Sequence, residues 1–228
     1  MSLGTYVEII NYVEDTAEAG AYFAKLGLNK VAKDVYTDGR YHLRIEKGTG
    51  DNPTLRYYGS DLDAIKQAGL TTTDNTLTSP QGLTIELRTE EAPLALPHTD
   101  IMLAPDTTRL GKFDELTSFV ADLETERAFW EKCGFTTGGV MTEPYNWGIW
   151  SDDKMLIGIH EQDLNVPFAI THFKPNIKAT NDALKAEGFA VQAIKNAEDK
   201  SDLTYATLTT PSGIEFYLFD GDITKENP

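Results

Sequence analysis

Cysteine occurs once in the 228 residues, as Cys133, so no disulfide can form within the chain. Basic side chains are scarce: 20 Lys and Arg stand against 36 Asp and Glu, a formal charge of −16. A chain with so little positive surface has nothing with which to replace phosphate counterions, and nucleic-acid binding is excluded on that ground. No window approaches the roughly 18 consecutive apolar residues that cross a bilayer as a helix. The first residues show no basic stretch leading into an apolar run, so a secretory signal is not expected. These absences predict a soluble, cytoplasmic protein with neither a membrane nor a nucleic-acid partner. The acidic excess reads first as a solvated surface, and only second as a sign that the ligand is not strongly anionic.

What is present is the composition of an ordinary folded chain, 40% apolar and 10% aromatic, with 18 Gly and 10 Pro scattered along it. It also contains a repeat. At an offset of 107, Glu8 to Leu28 lies over Glu115 to Phe135 without a gap, with six identities in 21 positions: Glu8/Glu115, Val13/Val120, Asp15/Asp122, Ala21/Ala128, Lys25/Lys132 and Gly27/Gly134. Ordinary residue usage gives about one or two. Aromatics coincide as well, Tyr12 with Phe119, Tyr22 with Phe129 and Phe23 with Trp130.

Each copy begins with an alternating, strand-like stretch (Tyr6 to Val13, Phe113 to Val120), then an Asp suited to cap a helix, then a Gly suited to end it. Strand-like runs at Thr136 to Met141, Tyr145 to Trp150 and Met155 to His160 follow in the second copy, which makes the unit βαβββ. Weaker echoes lie further on. Ile65 to Leu70 resembles Leu184 to Phe189, and Ser79-Pro80-Gln81-Gly82 resembles Thr210-Pro211-Ser212-Gly213, each turn feeding a last strand. Four modules, two per domain, are therefore expected: a first domain over 1–92, a linker over 93–109 exposed to proteolysis, and a second domain over 110–222. The first should be poorer in strands, because its segments are shorter.

These paired starts and the Ser/Thr-Pro-x-Gly approaches to each final strand resemble the vicinal oxygen chelate superfamily, which includes glyoxalase I, extradiol dioxygenases and bleomycin resistance proteins. The resemblance implies an α+β fold in which tandem βαβββ modules form two incomplete barrels with helices packed outside. It also implies a small-molecule ligand in a barrel and, in many members, a divalent metal held by His or Glu of the first strands and Glu of the last. Metal-dependent lyase or ring-cleaving dioxygenase chemistry is the first reading, and a metal-free binding or sequestering protein is the alternative. Zn²⁺, Fe²⁺, Ni²⁺ or Mn²⁺ would suit such ligands, and no metal at all stands beside them as an expectation. A homodimer is left open.

Transferred to this chain, the first-strand ligand is Glu8 in one copy and Glu115 in the other. The last-strand position is Glu86 in the first and Tyr217 in the second, where Glu215 lies two residues earlier on the same face. Neither copy carries a clean His, His, Glu triad. The better metal set is Glu115, His160, His172 and Glu215, with Glu115 and Glu215 as the candidate catalytic carboxylates. Tyr145, Trp147, Phe173, Tyr205 and Tyr217 are the candidate pocket lining. In the first copy two carboxylates without an imidazole hold a transition metal poorly, so Arg44 or Arg56 is expected to neutralise at least one of them. Cys133 matches Leu26 and reads as a buried apolar residue. His42 and His98 read as solvent-facing, and Lys47-Gly48-Thr49-Gly50 as a loop that cradles no phosphate.

Overall fold

The structure, a computed structural model, describes residues 1–92, 108–162, 164, 166–194 and 205–223. The linker over 93–109, its expected proteolytic sensitivity and His98 fall almost wholly outside the described residues.

The first half runs β1 (Tyr6–Val13), α1 (Thr16–Lys25), β2 (Asn29–Ala32), β3 (Val35–Thr37), β4 (His42–Lys47), β5 (Thr54–Tyr58), α2 (Leu62–Gln67), β6 (Thr76–Thr78) and β7 (Thr84–Leu87). The second runs β8 (Lys112–Val120), α3 (Leu123–Lys132), β9 (Thr136–Met141), β10 (Trp147–Ser151), β11 (Leu156–Glu161), β12 (Phe168–Lys174), α4 (Ile177–Ala186), β13 (Val191–Ile194), β14 (Tyr205–Thr209) and β15 (Glu215–Asp220). Each half forms one open mixed sheet, ordered β2-β3-β4-β1-β5-β7-β6 and β13-β14-β15-β12-β8-β11-β10-β9. In each, the first strand lies parallel to the last strand of its own module and antiparallel to the first strand of the next. The α+β tandem-module architecture stands as expected. So does the strand deficit: the first sheet ends at a three-residue β6 where the second continues through β14 to β13.

The repeat explains the helices. Asp15 accepts from the backbone N–H groups of Ala17 and Glu18 at 2.8 and 3.0 Å, and Asp122 does the same for Glu124 and Thr125 at 3.1 and 3.4 Å. Each cap stabilises its helix by about 1 kcal/mol. Gly27 and Gly134, at φ 90° and 95°, turn the chain out of the helix in the left-handed conformation that a side chain disfavours. Phe23 and Trp130 occupy equivalent places on the buried helix faces.

One apolar cluster spans both halves, from Leu3 to Leu218. The halves also exchange polar contacts. Glu126 of α3, 1% exposed, accepts from the backbone N–H of Gln81 and from Trp130 Nε1, both at 2.9 Å. Asn52 Nδ2 donates to the carbonyl of Ser212 at 3.1 Å. The last turn of each half thus reaches the other half.

Candidate functional site

Strand pairing places side chains in rows, and the first-strand Glu marks the row to read. In the first sheet Glu8 lies opposite Arg56, and Arg56 beside Glu86. Two family ligand positions are therefore separated by an arginine. Arg56 Nε donates to Glu86 at 2.7 Å, while its NH1 and NH2 donate to Glu46 at 2.5 and 3.0 Å. Arg44 binds Glu8 through two bonds of 2.5 and 2.8 Å, and Arg88 adds a contact to Glu86 at 2.9 Å. Three carboxylates are thus matched by three guanidinium groups, and both expected arginines have partners. Burial works against the charge on Glu86, but hydrogen bonds from Arg56 and Tyr12 outweigh it and hold the carboxyl below its ordinary range. This face of the sheet is occupied by its own ion pairs.

In the second sheet the equivalent row reads Glu115, Thr171, Tyr217. Among the described residues the first-strand glutamate makes no ion pair with an arginine here. Glu115, 2% exposed, accepts from His160 Nε2 at 2.8 Å and from Thr117 Oγ1 at 2.8 Å. Thr117 Oγ1 and Thr171 Oγ1 are 2.6 Å apart. Because a carboxylate can only accept, Thr117 must donate to it and so receives the proton of Thr171. The same logic fixes His160. Nε2 carries a proton toward Glu115, so in the neutral ring Nδ1 is free to accept from the Tyr145 hydroxyl 3.1 Å away. Hydrogen bonds run from both sides into one buried carboxylate. Tyr145 is pushed above the usual tyrosine range by burial and then by the charge of Glu115.

Gly158 makes room for this carboxylate. A Cβ at that position would lie 2.0 Å from the Glu115 carboxylate carbon, so the site requires a bare backbone there. Asp114 was not anticipated. The register between β8 and β12 slips between Thr171 and His172, which leaves Asp114 unpaired next to Glu115. Burial, followed by the charge of Glu115, pushes its carboxyl up to about 7. Two adjacent acidic residues inside an alternating strand were the signal for this bulge.

Rings extend the Glu115 face of the sheet on both sides. Trp147 stacks on His160 with centroids 5.6 Å apart, and Phe119 lies 5.9 Å from His160 and 5.3 Å from Tyr217. Tyr205 stacks on Tyr217 and on Phe219 at 6.0 and 5.3 Å, and Phe219 on Phe173 at 5.2 Å. All five residues expected to line the pocket, Tyr145, Trp147, Phe173, Tyr205 and Tyr217, belong to this one chain of rings. Tyr217 is pushed up to about 12, by burial and then by Tyr205 and Glu215.

The expected metal set is not assembled. Of Glu115, His160, His172 and Glu215, the structure brings together the first two. His172 directly follows Thr171, the partner of Glu115, so strand alternation points it to the opposite face, where it pairs with Phe113. It is fully buried near Tyr41, Phe113 and Phe216, with Asp38 Oδ2 at 3.6 Å from its Nε2. Glu215 accepts from Thr209 Oγ1 at 2.6 Å at the start of β15. Among the described residues no three His, Cys, Asp or Glu side chains come close enough to hold one ion. The row supplies two hydroxyl groups where a metal would want carboxylate or imidazole, and Glu115 and His160 are engaged with each other. These donors do not fit a metal held by the four residues. Two smaller expectations also resolve. His42 is 5% exposed and stacks on Tyr6 at 5.5 Å, so it does not face solvent, because it belongs to the paired part of β4. Cys133 is fully buried at the end of α3, and burial pushes its thiol up to about 12.

No protein-family model matches the chain, and no curated protein matches it in sequence. Solved structures do match in shape. A 2,2',3-trihydroxybiphenyl 1,2-dioxygenase from Sphingomonas wittichii strain RW1 superposes with a TM-score of 0.57 at 18% identity, over 96% of this chain and 90% of that one. A 2,3-dioxygenase from Pseudomonas sp. KL28 gives 0.56 at 16% identity, over 97% and 93%. A Mn(II)-bound glyoxalase from Novosphingobium aromaticivorans gives 0.58 at 13% identity, over 96% and 83%. The chain has the vicinal oxygen chelate fold, in the tandem arrangement of ring-cleaving dioxygenases and a glyoxalase. At these identities the likeness concerns the fold alone. Among the described residues no helix is long and apolar enough to cross a membrane.

Proposed function

We propose that the concave face of the second sheet binds a small organic molecule against its rings, and that Glu115, His160 and Tyr145 hold or move a proton on it without a resident metal. One observation carries this reading: the hydrogen-bonded chain Tyr145, His160, Glu115, Thr117, Thr171 lies along a wall of aromatic side chains. A ligand hydroxyl that replaced Tyr145 at His160 Nδ1 would face a base whose other nitrogen is already bonded to a carboxylate. The imidazolium formed by taking that proton would be stabilised by Glu115. The rings supply apolar area and Thr171 and Tyr217 supply polar contacts, the usual composition of a small-molecule site.

The ring-cleaving and glyoxalase activities named for the structural neighbours remain the second reading, favoured by the fold and opposed by the row of donors. Elemental analysis of the purified protein, paired with thermal shifts on adding Mn²⁺, Fe²⁺, Zn²⁺ or Ni²⁺ and a panel of hydroxylated aromatic compounds, separates the two. The proposal expects stabilisation by an aromatic member of the panel, quenching of Trp147 on binding, and no metal-dependent shift. Stoichiometric metal that disappears in Glu115→Gln would establish a metal centre and sink the proposal.

A further inference from the structure

The repeat shows what Glu115 is without. In the first copy Arg44 lies across from Ile10 and Arg56 across from Glu8; in the second, the same register positions hold Gly158, across from Thr117, and Thr171, across from Glu115. Glu8 thus has a guanidinium group bound at 2.5 and 2.8 Å where Glu115 has a bare backbone and a hydroxyl. Among the described residues the ion-pairing partner of Glu115 is His160 alone, and Arg40 lies over the Phe113 ring at 5.6 Å. Hydrogen-bond direction points the same way. Glu115 takes its bonds from Thr117 and His160 both on Oε1, while Oε2 accepts none among the described residues and is not sealed from solvent. Thr171 has given its hydroxyl proton to Thr117, and the neutral His160 ring has given its own to Glu115, so the oxygen of the one and Nδ1 of the other can only accept. The chain around Glu115 offers a ligand acceptors and a negative charge.

Given the ring-lined site proposed above, on which this step rests, we infer that its ligand is a protonated aromatic amine, whose ammonium group takes beside Glu115 the part that Arg44 takes beside Glu8. A buried carboxylate without a cation is costly, and a ligand that brings one recovers that cost. An ammonium group has three N–H donors and no acceptor, which matches Glu115 Oε2 and Thr171 Oγ1. The rings suit both parts of such a molecule. Phe119, Trp147 and Tyr217 form one group of side chains around His160, with faces that attract a cation and apolar area for an aromatic ring. A carboxylate ligand would meet the like charge of Glu115 instead, in a place where water screens it poorly. A neutral alcohol would satisfy the acceptors and leave the charge unmatched.

Tyramine, tyrosol and para-hydroxyphenylacetate share a phenol ring and differ at the end of one short side chain, which is an ammonium, an alcohol or a carboxylate. Each is titrated into the full chain at neutral pH by calorimetry, and fluorescence quenching that is lost in Trp147→Phe locates the binding. Tyramine should bind about tenfold more tightly than tyrosol, the effect of one charge-assisted contact, and para-hydroxyphenylacetate more weakly than either. In Glu115→Gln, which keeps the shape of the side chain and removes its charge, tyramine should fall to the affinity of tyrosol while tyrosol changes little. The ratio in the unaltered chain decides independently of how that variant folds. Tyrosol or para-hydroxyphenylacetate binding as tightly as tyramine, with Trp147 quenched, would overturn the inference and leave the ring-lined site standing. A preference for tyramine that persists in Glu115→Gln would overturn it too, and failure of all three to quench Trp147 would remove the inference and the site together.

Discussion

Replacing Gly158 by alanine tests whether the buried carboxylate is held where the hydrogen bonds place it. The backbone at 158 does not occupy the left-handed region, so alanine is conformationally acceptable and would by itself stabilise the strand by about 0.4–1 kcal/mol. Against this, its Cβ would stand 2.0 Å from the Glu115 carboxylate carbon. A flexible side chain could swing aside at little cost, but this one is 2% exposed and bonded to His160 and Thr117 at 2.8 Å. Each hydrogen bond to a charged group contributes about 1.5–3 kcal/mol, and overpacking a buried site costs about 1–3 kcal/mol. The expected net loss is about 2–3 kcal/mol, read from the urea midpoint at unchanged slope. The decisive measurement is the double-mutant cycle. In a Glu115→Ala background the space is vacated, so Gly158→Ala should be neutral or slightly stabilising, and the coupling should reach about 2 kcal/mol. The same cost in both backgrounds would refute the packing argument.

Two further expectations concern carboxylates elsewhere. Glu86 is held below its ordinary value of 4.5, so its contribution to stability is present above that pH and is lost as pH falls further; Glu86→Gln should flatten the stability profile below pH 4.5, and an unchanged profile would contradict the assignment. Glu126→Ala leaves the Gln81 N–H and Trp130 Nε1 without their acceptor and should cost about 1–3 kcal/mol in chemical denaturation, with Glu126→Gln losing less because its carbonyl oxygen can still accept from one of the two donors. Equal losses in the two variants would show that charge rather than hydrogen bonding matters there.

The module order was legible because helix starts and stops are local: an Asp before each helix and a Gly after it survive in both copies and can be aligned without any structure. Glu115 followed from its place in the repeat, and His160 from its match to Glu46, which the strand register reproduces by setting Glu46 against Tyr12 and His160 against Phe119. His172 went wrong for a reason that sequence hides. A strand alternates faces, and only the pairing shows which parity of β12 lies over Glu115: Thr171 does, so the next residue, His172, faces away. Thr117 and Thr171 carry no pattern that distinguishes a site residue from a strand former, so their part in holding Glu115 is visible only once the strands are paired.

The ion-filled face of the first sheet bears on how this chain could change. Glu8 is fully buried against Arg44, and Arg56 is shared between Glu46 and Glu86. Removing either member of such a pair alone strands the other charge in a poorly hydrated place, at a cost of about 3–5 kcal/mol when both are buried and less where water reaches the partner. Any path that restored a ligand-binding or metal-binding cup to this half would need at least two simultaneous substitutions, because each single step passes through a less stable protein. The arginines therefore act as an evolutionary ratchet.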